Sequence, residues 1–300
     1  MTSTRTKGTP PKTLSFEFFP PQSPEAEAQL WRSVERLAPL SPSFVSVTYG
    51  AGGTTRERTK VAIRTIQERA HLSVAGHLTC VGASRAETME VAHAYRAMGV
   101  TRIVALRGDP PKGETKFVPH PEGFTHAAEL VEALAADGFD VTVGAYPETH
   151  PEAASPEADI DNLKRKLDAG ADRAITQFFF EADCFLRFRD RCVAAGIDAP
   201  IIPGILPIEN FQRMSRFASA CGTSVPDWME RGFADAAGDD AAETTLATTI
   251  ATDLCGRMLE EGVDHLHFYT LNKPDLTFNI ARALGFEPVT PNLAAGNGVA

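Results

Sequence analysis

One junction recurs five times along the chain and limits its fold more than any other feature: the end of a helical pattern, a glycine, an apolar residue, a polar residue, then a strand-like run. The copies are Met98-Gly99-Val100-Thr101, Asp137-Gly138-Phe139-Asp140, Ala169-Gly170-Ala171-Asp172, Ala195-Gly196-Ile197-Asp198 and Glu261-Gly262-Val263-Asp264. Each glycine suits the left-handed position that ends a helix, and the apolar residue after it can pack back on the last turn. A chain punctuated in this way alternates helices with strands.

Eight strand-like runs follow that rhythm: Leu14 to Phe19, Phe44 to Tyr49, Val74 to Val81, Arg102 to Leu106, Val141 to Tyr146, Arg173 to Phe180, Pro200 to Leu206 and His265 to Thr270. Amphipathic segments lie between them, among them Ala26 to Leu37, Ala86 to Met98, Ala127 to Ala136, Ile160 to Asp168 and Cys184 to Ala195, with a capping box expected at Ser84 and Glu87. Alternation implies parallel pairing with right-handed crossovers. Eight such units within roughly 250 residues suit an α/β fold of the closed (β/α)8 TIM-barrel type. The rival open Rossmann sheet lacks its fingerprint, because the glycine cluster Gly50-Ala51-Gly52-Gly53 follows the second strand with the wrong spacing. The stretch from Pro207 to Gly262 exceeds one unit and predicts extra helices before the last strand. Residues 1–12 and 289–300 read as loose tails around one barrel at 13–288.

A chain of 300 residues with 43% hydrophobic and 23% charged residues has the make-up of a globular protein. Its net charge of −10 argues against general nucleic-acid binding or attraction to anionic membranes. No apolar run reaches the length of a membrane span and no apolar segment opens the chain, so a cytoplasmic protein is expected. Five cysteines without a CxxC pair read as reduced thiols. His265 and His267 share one strand face with no cluster to complete a metal site, which favours a structural or hydrogen-bonding role, and no metal is expected.

Glu17 stands out within Leu14-Ser15-Phe16-Glu17-Phe18-Phe19-Pro20-Pro21. Leu14, Phe16 and Phe18 face one side of that strand and Ser15, Glu17 and Phe19 the other. Burial there raises the pKa of a carboxylate, as a proton donor near neutral pH requires. The strand alone leaves open a salt-bridged structural glutamate. In a barrel, the polar residues at strand carboxyl ends converge on one rim: Glu17; Thr48 and Tyr49; His77 and Thr79; Arg107-Gly108-Asp109; Tyr146, Glu148 and His150; Gln177; Thr270 and Asn272. Gly108 lets backbone approach a planar ligand and Asp109 places a charge beside it, unless the turn is merely tight and capped. Asp159, Asn162 and Lys166, with Arg165 adjacent, form a helical stripe that suits phosphates and ribose hydroxyls or a solvated face.

The segments Ser15 to Pro21, Phe44 to Ala51, His77 to Cys80, Ala105 to Asp109, Arg173 to Phe180, Pro203 to Pro207 and His267 to Asn272 closely resemble methylenetetrahydrofolate reductases of the bacterial type. The resemblance runs in order from Leu14 to about Phe286. It implies an FAD-containing barrel that uses NADH or NADPH to convert 5,10-methylenetetrahydrofolate into 5-methyltetrahydrofolate by a ping-pong relay, supplying methionine synthesis. The family's general acid falls on Glu17, which would protonate N10, and its flavin-side aspartate on Asp109. Contacts with FAD are implied for Tyr49, Ala51, His77, Arg107, Gly108, Asp109, Tyr146, His150, Asp159, Asn162, Arg165 and Lys166, and with the nicotinamide for Thr48. Gln177 and Phe217 would contact folate or nicotinamide.

Two positions depart from the family pattern: Lys273 stands where bacterial relatives often have Arg, and Arg213 where an amide is frequent. Both fall in the folate and nicotinamide region, and Lys lacks the planar fork of Arg. The partners implied are small molecules, with a homo-oligomer expected by family analogy. No appended regulatory domain is expected, and hence no inhibition by S-adenosylmethionine. The competing readings are a proline dehydrogenase type of FAD barrel, a Schiff-base aldolase using Lys164 or Lys166, and a noncatalytic binding protein.

Overall fold

The computed structural model describes residues 12–49, 56–110, 113 and 117–289. Strand β1 (Thr13–Phe18) leads to α1 (Pro24–Leu37) and a 3-10 turn (Ala38–Leu40), then β2 (Phe44–Val47), α2 (Arg56–Ala70), β3 (Val74–Thr79) and α3 (Arg85–Ala97). Next come β4 (Arg102–Leu106), α4 (Ala127–Ala136), β5 (Asp140–Ala145), α5 (Pro156–Asp168), β6 (Arg173–Thr176) and α6 (Ala182–Ala194). Two short strands, β7 (Ile201–Ile202) and β8 (Gly204–Ile205), precede α7 (Phe211–Cys221), α8 (Asp227–Asp235) and α9 (Asp240–Glu260), and β9 (His265–Tyr269) and α10 (Pro274–Ala283) close the series. All pairings are parallel, in the order β7-β6-β5-β4-β3-β2-β1-β9-β8.

The fold is the expected TIM barrel, with three helices, α7 to α9, before the last strand where one unit would supply a single helix. The expected seventh strand, Pro200 to Leu206, is divided: β7 bonds only β6 and β8 only β9. Pro203 between them has no N–H to donate, yet its carbonyl accepts from His267 N at 3.1 Å, so the seam holds. Several other strands stop short of their expected carboxyl ends, β6 at Thr176 rather than Phe180 and β3 at Thr79 rather than Val81, because the chain leaves the ladder there to build rim loops.

All five junction glycines are left-handed, with φ of 79° at Gly99, 80° at Gly138, 112° at Gly170, 76° at Gly196 and 88° at Gly262. The apolar residue after each donates its N–H to a carbonyl five residues back, as Val100 does to Tyr95 at 3.0 Å and Ile197 to Cys192 at 3.0 Å. These are Schellman caps, and each turns a finished helix toward the next strand. The Ser84–Glu87 capping box is present.

Strand alternation divides the interior in two. Leu14, Phe16, Phe18 and their counterparts on other strands pack outward against the helices in one large core. A smaller cluster of Phe44, Ala75, Val104, Ile175 and Ile202, flanked by Leu106 and Tyr269, fills the lumen. Ser15 and Glu17 face that lumen, because they occupy the alternate positions of β1. The five cysteines are free thiols. No helix among the described residues is long and apolar enough to cross a membrane.

Candidate active site

Glu17 lies near the carboxyl end of β1, in register with Ser46 of β2 and Tyr269 of β9. A cavity of about 310 Å³ opens above it, lined by side chains that include Thr48, Tyr49, His77, Tyr146, Gln177, Phe217, His267, Tyr269 and Leu271. The Glu17 carboxylate approaches two imidazoles, with Oε2 at 3.3 Å from His77 Nε2 and 3.9 Å from His267 Nε2. His77 Nε2 is buried and makes no hydrogen bond.

Electrostatics at this point reverse the sequence expectation. Burial does push the Glu17 carboxyl up, but His77 and then His267 pull it down further, to about 2. The raised pKa expected from the strand alone therefore does not hold, because its partners arrive from β3 and β9, more than fifty residues away in the chain. His267 is itself pushed down by burial against the opposing pull of Glu17. Glu17 is a carboxylate at neutral pH in the open mouth.

The loop after β9 is locked over the acid. Thr270 Oγ1 donates to the Glu17 carbonyl at 2.6 Å, and the Asn272 side chain accepts from Phe19 N at 2.9 Å while donating to Phe19 O at 3.0 Å. Leu271 and Asn272 are held left-handed, at φ of 50° and 55°, and Leu271 enters the cavity wall. Such strain survives where surrounding bonds over-determine it. Across the lumen, the Tyr269 hydroxyl donates to Thr176 O at 2.6 Å. Gly204 permits that crossing, since a Cβ there would stand 2.6 Å from the tyrosine ring.

The other expected site residues divide by place. Thr48, Tyr49, His77, Tyr146, Gln177 and Phe217 meet at the cavity, where Phe217 stacks on Phe178 and Gln177 Oε1 accepts from Phe178 N at 3.1 Å. At the rim, Arg107 pairs with Glu152 at 2.6 Å, and Tyr146 meets the His150 ring edge-on at 4.5 Å. Gly108 adopts a φ of 89° and a Cβ there would lie 2.7 Å from Val81, so the turn needs glycine on both counts. Asp109 is exposed beside it. Burial drives the Tyr146 hydroxyl up to about 12, with the Asp109 charge adding to the rise.

On α5 the stripe is not a solvated face. Asp159 is buried and accepts from His150 N at 2.9 Å; Lys166 is buried, donates to Gly144 O at 2.5 Å, and is lowered by burial to about 8. Asn162 accepts from the exposed Arg165 at 3.3 Å. Lys164 pairs with Asp168, so neither of these lysines projects from a strand into the lumen as a Schiff-base barrel requires. Arg213 is exposed in the first turn of α7, and Lys273 is exposed and pairs with Glu209 at 3.7 Å; neither lines the cavity. Ala51 lies outside the described residues.

His267, Tyr269, Phe19 and Leu271 were not named as site residues from sequence. The period-2 pattern of His265-Leu266-His267-Phe268-Tyr269, laid beside Ser15 and Glu17 of the first strand, was the available signal. Among the described residues no group of His, Cys, Asp and Glu is disposed to hold a metal ion.

Comparison with known proteins fits this geometry. The family profile described as "Methylenetetrahydrofolate reductase" matches residues 4–285. The chain is 50% identical over 277 residues to the 5,10-methylenetetrahydrofolate reductase of Salmonella typhimurium, covering 92% of this chain and 91% of that one. The Escherichia coli protein of that name is also 50% identical, over 278 residues, with the same coverage. An Arabidopsis thaliana relative, "Methylenetetrahydrofolate reductase (NADH) 1", is 36% identical across 91% of this chain and 48% of its own length. A solved structure from Clostridium thermocellum, described as binding two copies of 5-methyl-5,6,7,8-tetrahydrofolic acid, shares the fold with a TM-score of 0.60 at 15% identity, over 91% of this chain and 94% of that one. On the profile match and the identity across almost the full length of both bacterial proteins, the chain belongs to the methylenetetrahydrofolate reductase family.

Proposed function

We propose that the protein reduces 5,10-methylenetetrahydrofolate to 5-methyltetrahydrofolate at this mouth, drawing electrons from NADH or NADPH through FAD in a ping-pong sequence. One observation carries the reading: an acid embedded between imidazoles lies under a cavity walled by aromatic and amide groups, in a chain half identical to proteins of that name. A folate-binding barrel of similar fold supports the substrate class.

The residues fit a flavin. His77 Nε2 is buried without a hydrogen bond in the wall of a cavity of the size a flat ring system needs, and the aromatic rings of Tyr49 and Tyr146 flank it. Tyr49, His77, Gly108, Asp109 and Tyr146 would hold the isoalloxazine. Arg107, His150, Asp159, Asn162, Arg165 and Lys166 would hold the ribityl chain, diphosphate and adenosine, with Lys166 first giving up Gly144 O. Thr48 would meet the nicotinamide. When bound, FAD supplies two-electron transfer between nicotinamide and folate.

The chain's own part is positioning and proton supply. Gln177 and Phe217 orient the folate, Leu271 covers the mouth, and Arg213 and Lys273 act on folate only by leaving their present exposed positions. Glu17 protonates N10 as the five-membered ring opens. It must first gain a proton, and a ligand that expels water from the mouth raises its proton affinity by strengthening the burial that the open site leaves incomplete.

The test is spectroscopic. Purified protein is expected to be yellow, to bleach with NADH or NADPH without oxygen, and to recover its colour on adding methylenetetrahydrofolate. Colourless protein that FAD cannot reconstitute would end this reading, and recovery with a proline-derived acceptor instead of folate would transfer it to the proline dehydrogenase type.

A further inference from the structure

Below Glu17 the lumen holds a hydrogen-bonded file of four exchangeable groups that stops one short step from the carboxylate. Thr13 Oγ1 lies 2.7 Å from His265 Nδ1, His265 Nε2 lies 2.8 Å from Ser15 Oγ, and Ser15 Oγ lies 2.7 Å from His267 Nδ1. His267 Nε2 then faces Glu17 Oε2 at 3.9 Å, about 1 Å beyond hydrogen-bonding range. Phe44 stacks against both imidazoles, at 5.9 and 6.0 Å, and keeps the rings nearly parallel. Ser15 and His267 are fully buried, whereas Thr13 and His265 are partly exposed toward the strands' amino-terminal end. The file therefore links the acid to water on the side of the barrel opposite the mouth.

We propose that Thr13, His265, Ser15 and His267 form a proton relay that recharges Glu17 while ligand covers the mouth. The proposal rests on the reductase reading for its purpose, but not for its geometry. With Glu17 ionised and the His267 Nε2 proton turned toward it, the file settles as follows: both imidazoles carry their proton on Nε2, Ser15 donates to His267 Nδ1 and accepts from His265, and Thr13 gives up its 3.3 Å bond to Asp264 O to donate to His265 Nδ1; the reverse arrangement, with both rings protonated on Nδ1, keeps the Asp264 bond and turns a lone pair toward the carboxylate. In one concerted shift the Thr13 proton moves to His265 Nδ1, the His265 Nε2 proton to Ser15, the Ser15 proton to His267 Nδ1 and the His267 Nε2 proton to Glu17. Thr13 regains a proton from water. No bond to carbon changes and no electrons move between groups.

The surrounding charges favour a concerted path through neutral rings. Arg102 of β4 and Arg173 of β6 lie beside His265, with Asp140 of β5 between them; Tyr269 of β9 abuts His267, and His77 of β3 abuts Glu17. Two guanidiniums next to His265 oppose an imidazolium there. After Glu17 has passed its proton to substrate, both tautomers are reversed. A solvent proton taken up at Glu17 in the open mouth pushes the file back, so one proton per turnover comes from solvent.

Nitrogen-15 NMR of histidine in the ligand-free protein tests the geometry directly. Both His265 and His267 are expected as neutral Nε2–H tautomers at pH 7, and Ser15→Ala is expected to uncouple them. Opposite tautomers in the wild type would leave Ser15 between two lone pairs or two protons and would overturn the relay, whatever the enzyme's activity. In flavin-loaded protein, Ser15→Ala is expected to slow reoxidation by methylenetetrahydrofolate about tenfold to a hundredfold relative to reduction by nicotinamide, and to turn a curved dependence on solvent deuterium fraction linear. Ser15→Thr, which keeps the hydroxyl, is expected to restore the curvature. A curved dependence retained in Ser15→Ala would also overturn it. Failure of folate to reoxidise wild-type protein would instead count against the reductase reading and leave the tautomer result standing.

Discussion

The lumen contains two part-buried carboxylates with opposite neighbours. Asp140, at the amino-terminal end, is gripped by Arg173 and by Arg102, whose Nη2 approaches it at 3.0 Å. Glu17, near the mouth, faces His77 and His267. Burial pushes both carboxyls up and the partners bring both below their ordinary values. Guanidinium has no proton to give at any working pH, so the lower carboxylate is fixed, whereas an imidazole can hold a proton on either ring nitrogen and so leaves the upper one beside groups that can hand a proton on. The barrel uses permanent charge for structure and titratable charge where chemistry is proposed.

The largest test of this contrast is Glu17→Gln. Folate-dependent reoxidation is expected to fall about 10³-fold while reduction by nicotinamide survives; stopped-flow measurement of the two half-reactions separates them, and equal loss of both would place Glu17 with the structural carboxylates. The complementary change, Asp140→Ala, strands two guanidiniums. Because all three side chains keep some exposure, a loss of about 2 kcal/mol is expected, less than for a fully buried pair. A lower urea midpoint with an unaltered ratio of the half-reactions would show it.

The pH dependence of stability adds a finer separation. Burial lowers His265 to about 3 and lowers His267 from the ordinary 6.5, so the unfolded chain binds those protons more readily, and stability falls as pH drops below about 6.5. Glu17 and Asp140 are also depressed when folded; their contributions are present above their unfolded values and disappear below about 4.5 and 3.8 respectively. Two stages of acid loss are expected. His265→Asn should flatten the upper stage and leave the lower, as urea midpoints between pH 7 and 3 would reveal. The smallest effect is expected at Asn272→Ala, which removes two bonds to Phe19 and costs about 1 kcal/mol, with a raised KM for folate as the mouth loop loosens.

The barrel itself was legible because its signals are local. Five glycines and the alternation on each strand set caps, crossovers and faces, and the lumen side of β1 follows from counting residues by two. The rest depends on neighbours distant in the chain. Glu17 could be found from β1, but the sign of its pKa shift could not, because His77 and His267 come from other strands. Asp159 and Lys166 could be placed on one stripe, yet whether that stripe met solvent was decided by Gly144 and His150. The division at Pro203 followed from pairing that only the closed ring reveals, while the positions of Arg213 and Lys273 outside the cavity depend on how rim helices settle.

The Asn272 clamp joins the first and last βα loops, whose residues stand 253 positions apart in the chain. The acid belongs to the first strand of the ring, but its cover and one of its two imidazoles belong to the last strand and the loop after it. Closing the ring between β1 and β9 is therefore what completes the pocket: any partly paired barrel without that seam leaves Glu17 short of an imidazole and of its cover, and such a long-range closure is a contact with a high entropic cost.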